Sequence, residues 1–191
     1  MAGRAWIKVS DDSEATADVN QAYEKVIAAR GSNFNIDAAA GLWPSLLELQ
    51  KEEFALFSGS ETELGPEIKD LIAALVSQLN NCDYCQTWYR DVLKLRGWSD
   101  EKITHLLQDI DSAHLDEEGR AIMVFADKMT RRPQSICPED IDALRRAGVD
   151  DRAILETAAL TGYYNYMARL SKALGAMAGS EERASRVSSP Q

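Results

Sequence analysis

The stretch Lys69-Asp-Leu-Ile-Ala-Ala-Leu-Val-Ser-Gln-Leu-Asn-Asn-Cys-Asp-Tyr-Cys85 reads as a helix, a turn and the start of a second helix. Ile68, Leu71, Ile72, Leu75, Val76 and Leu79 recur at the helical period, which gives the first helix one apolar face. Gly65-Pro66 opens it, since proline suits the first helical turn. Asn80-Asn81 are turn formers. A new helix is expected from near Cys82 to Leu95, with Trp88, Val92, Leu93 and Leu95 apolar and Gly97 ending it.

Outward from this hairpin the chain reads as helical almost throughout. Ser10-Asp-Asp-Ser13 offers N-caps for a helix from about Glu14 to Arg30, stopped by Gly31. A loop around Asn33–Asn35 follows. Pro44 begins a helix striped by Leu46, Leu47, Leu49, Phe54 and Phe57 and broken at Ser58-Gly59-Ser60. Beyond the hairpin, Ser99 caps a short helix to about Leu107, and Asp109–His114 is a polar loop. Ile122, Val124, Phe125 and Met129 mark another helix, and Pro133 to Pro138 a connector. A short helix then reaches Arg146, and Asp150 caps a long last one to about Leu174. The expectation is an all-α bundle of about eight helices in one domain over residues 1–178, with a polar tail at 179–191. The joints Leu95-Arg96-Gly97-Trp98-Ser99-Asp100 and Arg146-Ala147-Gly148-Val149-Asp150-Asp151 echo each other, each a glycine C-cap, an apolar residue and an N-cap.

Charge and composition exclude several function classes. The 191 residues carry a formal net charge of −10. An acidic chain does not suit nucleic acid or an anionic membrane surface. The longest apolar run, Leu71 to Val76, is far short of the ~18 residues of a membrane span. The first residues contain no apolar segment typical of a signal peptide, so the chain is expected to be cytoplasmic.

The three cysteines are too few for a disulfide framework in a chain of this size. Cys82 and Cys85 form a C-x-x-C at a helix start, where both sulfurs share a face and can close a small disulfide ring. Unpaired backbone N–H groups and the helix dipole favour negative charge there. Such settings bring thiols from about 8.5 to roughly 3.5–7.5. A metal reading needs two more ligands, and Cys137, His105 and His114 lie at no zinc-like spacing. The pair could also be two small buried hydrophobes. Asp70 falls among apolar residues on the preceding helix and is a candidate proton acceptor, or else a salt-bridged carboxylate. Tyr89 follows Cys85 on the same helical face and is a candidate relay group or a packing residue. Trp88 and Tyr84 read as packing residues or pocket walls. Tyr163, Tyr164, Tyr166 and Met167 read as core or oligomer contact. Cys137 reads as a free thiol, and His105 and His114 as surface residues.

The same stretch resembles the signature of the AhpD-like superfamily, which includes carboxymuconolactone decarboxylases. That signature is Glu, eleven residues, Cys, two residues, Cys, three residues, His. Trp6-Ile7, Leu42-Trp-Pro-Ser-Leu-Leu47, Leu95-Arg-Gly-Trp-Ser-Asp100 and Thr161-Gly-Tyr-Tyr-Asn-Tyr-Met-Ala-Arg-Leu170 look like its peroxidase-related, alkylhydroperoxidase-like branch, so the resemblance runs over roughly residues 5–175. The resemblance implies an AhpD-like helical bundle that forms a homo-oligomer, with no tightly bound cofactor. It implies a thiol-dependent reduction of a hydroperoxide or similar small molecule. Cys85 attacks as a thiolate, Cys82 resolves the sulfenic acid, and an external thiol or dithiol protein re-reduces the pair. Asn165 stands as a substrate contact on the same ground. The relay Glu and His positions are Asp70 and Tyr89 here, a shorter carboxylate and a phenol that ionises near 10 in water rather than near 6.5. Two other outcomes fit that departure: a repurposed enzyme of non-redox proton transfer, such as a decarboxylase or isomerase, and a non-catalytic oligomer that senses oxidants.

Overall fold

A computed structural model of the chain describes residues 5–9, 35–112 and 115–176. The expected helix over 14–30 with its caps, His114 and the tail from Gly179 lie outside these residues. Among the described residues every regular element is helical. They are α1 (Asn35–Ala40), α2 (Pro44–Ser58), α3 (Pro66–Leu79), α4 (Asp83–Leu95), α5 (Asp100–Gln108), α6 (Glu117–Arg131), α7 (Pro138–Arg146) and α8 (Asp151–Leu174). Single 3-10 turns occupy Ile110–Ser112 and Pro133–Ser135. No helix among them is long and apolar enough to cross a membrane.

The chain divides into two compact units, Met1–Gly59 with Leu170–Gln191, and Ser60–Arg169. In the first, Leu47 and Gln50 of α2 and Ile36 and Ala38–Ala40 of α1 are buried. Helix α1 begins at Asn35, where the sequence suggests a loop. Its three alanines supply the propensity that the asparagines before them lack. The Trp6 N–H donates to the Leu174 carbonyl at 2.7 Å, which ties the described start of the chain to the end of α8.

The second unit is built around α3. Residues 71–77 are all buried, so the apolar stripe expected of this helix widens to its whole circumference in the middle. It packs against α4 and α6. Leu71, Ile72, Leu75, Leu93, Ile103, Leu106, Ile122, Met123, Leu144 and Leu160 are fully buried here. Each such side chain stabilises by about 1.5–3 kcal/mol against exposure. Helix starts are capped as expected: Ser99 Oγ accepts from Lys102 N–H at 3.2 Å and Asp150 Oδ1 from Ala153 N–H at 2.8 Å. The echoed joints are real in backbone terms. Gly97 and Gly148 sit at φ 91° and 97°, a region that side chains disfavour, immediately after α4 and α7.

Candidate active site

The turn between α3 and α4 fixes the cysteine pair. Asn80 N–H donates to Val76 O at 3.1 Å, and Cys82 N–H returns to Ser77 O at 3.0 Å. Asn81 takes φ 51°, a conformation asparagine tolerates better than most residues. The chain thereby reverses within two residues and leaves Cys82 as the N-cap of α4. Cys82 Sγ accepts the Cys85 N–H at 3.4 Å, the bond an N-cap serine or threonine oxygen ordinarily makes. Cys82 and Cys85 are joined as a disulfide, with their Cα atoms 5.3 Å apart.

The pair is buried. Cys82 is 3% exposed and Cys85 9%, so Cys85 is the less covered residue of the two. Ala168 of α8 packs against both, and Tyr84 and Tyr89 lie half-buried against the same cluster. Tyr89 meets Tyr164 edge-on, with ring centroids 5.1 Å apart, and Tyr164 meets Tyr163 likewise at 5.3 Å. Tyr84 and Tyr89 thus pack by the cysteine pair, and part of the α8 aromatic cluster meets Tyr89. Trp88 is half-buried on α4.

Asp70 is placed differently from a relay carboxylate in contact with Tyr89. Its carboxylate accepts from, and pairs with, the guanidinium of Arg96 at the C-cap of α4. Burial pushes the Asp70 carboxyl above the usual range, against the pull of Arg96. Asp70 also stands nine residues before the end of α3 at Leu79. At the helical rise that is about 13 Å from the turn that carries Cys82. A proton moving between Asp70 and sulfur would need an intermediate carrier.

Asn165 is buried and tied to protein partners. Its Nδ2 donates to Thr130 Oγ1 at 2.9 Å and to Thr161 O at 3.0 Å, and its Oδ1 accepts from Asn80 Nδ2 at 3.0 Å. Asn80 Oδ1 in turn accepts from Arg169 Nε at 3.1 Å. This brace holds the turn before the cysteines to α6 and α8. Asn80, Thr130, Arg96 and Arg169 are site residues that the sequence reading passes over. A signal existed for one of them: Thr161, Asn165 and Arg169 recur every fourth residue on one face of α8.

Cys137 is a free, half-buried thiol at the N-cap of α7. Neighbouring Glu139 and Asp140 push it up. His105 is exposed on α5. Among the described residues no group of three His, Cys, Asp or Glu could hold a metal ion.

No protein-family profile and no curated sequence matches this chain. Solved structures do. An uncharacterized peroxidase-related protein from Silicibacter superposes with a TM-score of 0.83 at 23% identity, over 95% of this chain and 96% of that one. A peroxidase-related protein from Ralstonia eutropha, described as an alkylhydroperoxidase AhpD core, gives 0.82 at 18% identity over 100% of both chains. A cysteine-to-alanine variant of the debrominase Bmp8, in complex with 2,3,4-tribromopyrrole, gives 0.76 at 20% identity over 94% of each.

Proposed function

We propose that this chain, which has the AhpD-like fold, is a thiol-dependent oxidoreductase that reduces a small hydroperoxide through Cys82 and Cys85. The observation that supports this most is the pair itself: two cysteines bonded at a helix N-terminus, under a wall of tyrosines.

The N-cap bond favours negative charge on Cys82. Cys85 is the less covered residue of the two and meets the peroxide. Its proton passes to Cys82, and the Cys85 thiolate attacks the outer peroxide oxygen. The O–O bond breaks, the alkoxide takes the proton from Cys82, and Cys85 becomes a sulfenic acid. The Cys82 thiolate then attacks that sulfur, and hydroxide leaves as water after protonation. The sum is dithiol plus ROOH to disulfide, ROH and water. In this cycle Cys82 does the proton transfer that the family pattern assigns to the His position, here Tyr89. Asp70, held by Arg96, acts by positioning α4.

Re-reduction runs in the opposite sense. An external thiolate attacks Cys85, and Cys82 departs as the better-stabilised thiolate. A reducing cytoplasm would supply such a thiol or dithiol protein. Leu42, Trp43, Leu49 and Leu56 are exposed apolar residues of the first unit, which supports a homo-oligomer. The acidic charge supports neither a nucleic-acid nor a membrane partner.

The test is cumene hydroperoxide turnover with dithiothreitol as reductant, wild type beside Cys85→Ser. Turnover that disappears in Cys85→Ser supports the reading, and turnover that survives in it ends it. Loss of two thiols per chain without turnover would leave only a redox sensor.

The likeness to the debrominase favours a second use of the same sulfurs. A thiolate attacks the bromine of a bromopyrrole, the ring carbon takes a proton, and the second thiol releases bromide as the disulfide closes. Bromide release from 2,3,4-tribromopyrrole, with no peroxide turnover, would select this reading over the first.

A further inference from the structure

We propose that Arg169 anchors an anionic group, a carboxylate, on the molecule that reacts with the Cys82–Cys85 pair. The inference rests on the thiol-exchange reading above and names the chemical class of its partner molecule.

Three observations on Arg169 combine. Its chain neighbour Ala168 is buried against both cysteines, while Arg169 itself is exposed. The side chain therefore leaves α8 one position on from the residue that packs on the sulfurs, and it is exposed. Its Nε donates to Asn80 Oδ1 at 3.1 Å, and Asn80 stands two residues before Cys82 in the turn that sets the pair. Asn80 is itself fixed through Asn165 to Thr130, both buried. The guanidinium is thus aimed by a braced network rather than left to swing.

The third observation is what the terminal nitrogens do. Arg90, Arg96, Arg120, Arg131, Arg145 and Arg152 each meet a carboxylate. Arg169, like Arg132 and Arg146, meets none among the described residues, and its terminal nitrogens donate to no protein acceptor there. What sets Arg169 apart from those two is its bond to the turn that carries the cysteines. A guanidinium whose inner nitrogen is bonded and whose outer pair is open offers two parallel donors, the geometry that takes a carboxylate. The acidic surface beyond would repel the same anion, so selectivity would be local to this position.

The test reads the sulfurs directly and needs no turnover, so its outcome is separate from whether the chain is a peroxidase. In a Cys137→Ser background the reduced protein is mixed with 5,5′-dithiobis(2-nitrobenzoate), which carries two carboxylates, or with uncharged 4,4′-dithiodipyridine. The dithiol reduces the nitrobenzoate reagent to two thiolates and two protons, and the pyridine reagent to two neutral thiopyridones, as the protein disulfide forms. Arg169→Gln should lower the rate ratio of the anionic to the neutral reagent by about tenfold, with smaller loss in Arg169→Lys. Lys94→Gln, at the far end of α4, should leave the ratio unchanged. A second arm reduces the oxidised protein with 3-mercaptopropionate or with 2-mercaptoethanol. Discrimination in the first arm marks the carboxylate as the oxidant's, and discrimination in the second marks it as the reductant's. An equal fall for both reagents in Arg169→Gln would show that the guanidinium serves the thiolate and overturn the proposal. An unchanged ratio in both arms would overturn it as well.

Discussion

The asymmetry between the two sulfurs has a measurable size. The perturbation is to leave one thiol at a time, with Cys85→Ser keeping Cys82 and Cys82→Ser keeping Cys85, both in a Cys137→Ser background. Residue 85 retains its backbone N–H in the first variant, so Cys82 keeps its N-cap donor, 3.4 Å away in the oxidised pair. A hydrogen bond to a charged group contributes about 1.5–3 kcal/mol, and a long N–H···S bond belongs at the low end. The helix N-terminus acts on both sulfurs, since Cys85 lies in the first turn of α4, and adds little to the difference. The hydrogen bond leaves about 1.5 kcal/mol in favour of the Cys82 thiolate. Burial opposes ionisation of both sulfurs, and slightly more for Cys82, which is 3% exposed against 9%. The net expectation is that the Cys82 thiol ionises more readily than Cys85.

Iodoacetamide alkylation followed from pH 5 to 10 reads this directly, since only the thiolate reacts. At pH 7 the Cys82 protein should show more thiolate than the Cys85 protein, up to about tenfold. Midpoints that coincide, or a lower midpoint for Cys85, would refute the reasoning. The reversed order would also move the stabilised charge to Cys85, which then needs no base, and would leave the proton for the departing alkoxide to come from a group such as the Tyr89 phenol.

Three further outcomes follow from the same bonds. Asn165→Ala removes the partner of Thr130 and of Asn80 in a buried site, which should cost about 2–4 kcal/mol and lower Tm by about 5–15 °C; a circular-dichroism melt within 2 °C of wild type would contradict the brace. The Cys137 thiol is pushed up by Glu139 and Asp140, so at pH 8 it should alkylate more slowly than the reduced pair, and quantitative peptide mass spectrometry that finds it the fastest of the three would contradict this. The Lys128 ammonium, with the Cys137 N–H, holds the Asp140 carboxyl below its usual range. A depressed carboxyl stabilises the fold above its unfolded pKa near 3.9 and loses that contribution as pH falls through the folded value. The Tm difference between wild type and Asp140→Asn should therefore be largest above about pH 4 and shrink below it; a difference that grows on acidification would be the wrong sign.

The legible part of this molecule is what one helix determines about itself. The periodicity of Leu71, Ile72, Leu75 and Val76 made α3 a core helix, and all four are buried. The i, i+3 spacing of Cys82 and Cys85 put both sulfurs on one face of one turn, and they are bonded there. The glycines at 97 and 148 ended helices at sites the neighbouring residues already marked. Each of these signals is local, so the sequence contains all of it.

Asp70 shows where that stops. Within its own helix it is a carboxylate on an apolar run, which suits a proton acceptor and an ion-pair member equally. What separates the two is the register of α4 against α3, which depends on the length of the Asn80-Asn81 turn and on where α4 ends. A chain that reverses within two residues carries Arg96 back beside Asp70 after the whole length of α4. Arg96 closes the helix and answers a half-buried charge at the same time, a use that its position next to a C-cap glycine does not reveal. The Arg169–Asn80 contact crosses 89 residues by the same kind of accident of packing. Spacing along a helix thus predicts which residues share a face, and only the packed hairpin decides which of them has a free charge left to use. On that criterion Asp70 is committed to Arg96, whereas the guanidinium of Arg169 meets no carboxylate among the described residues.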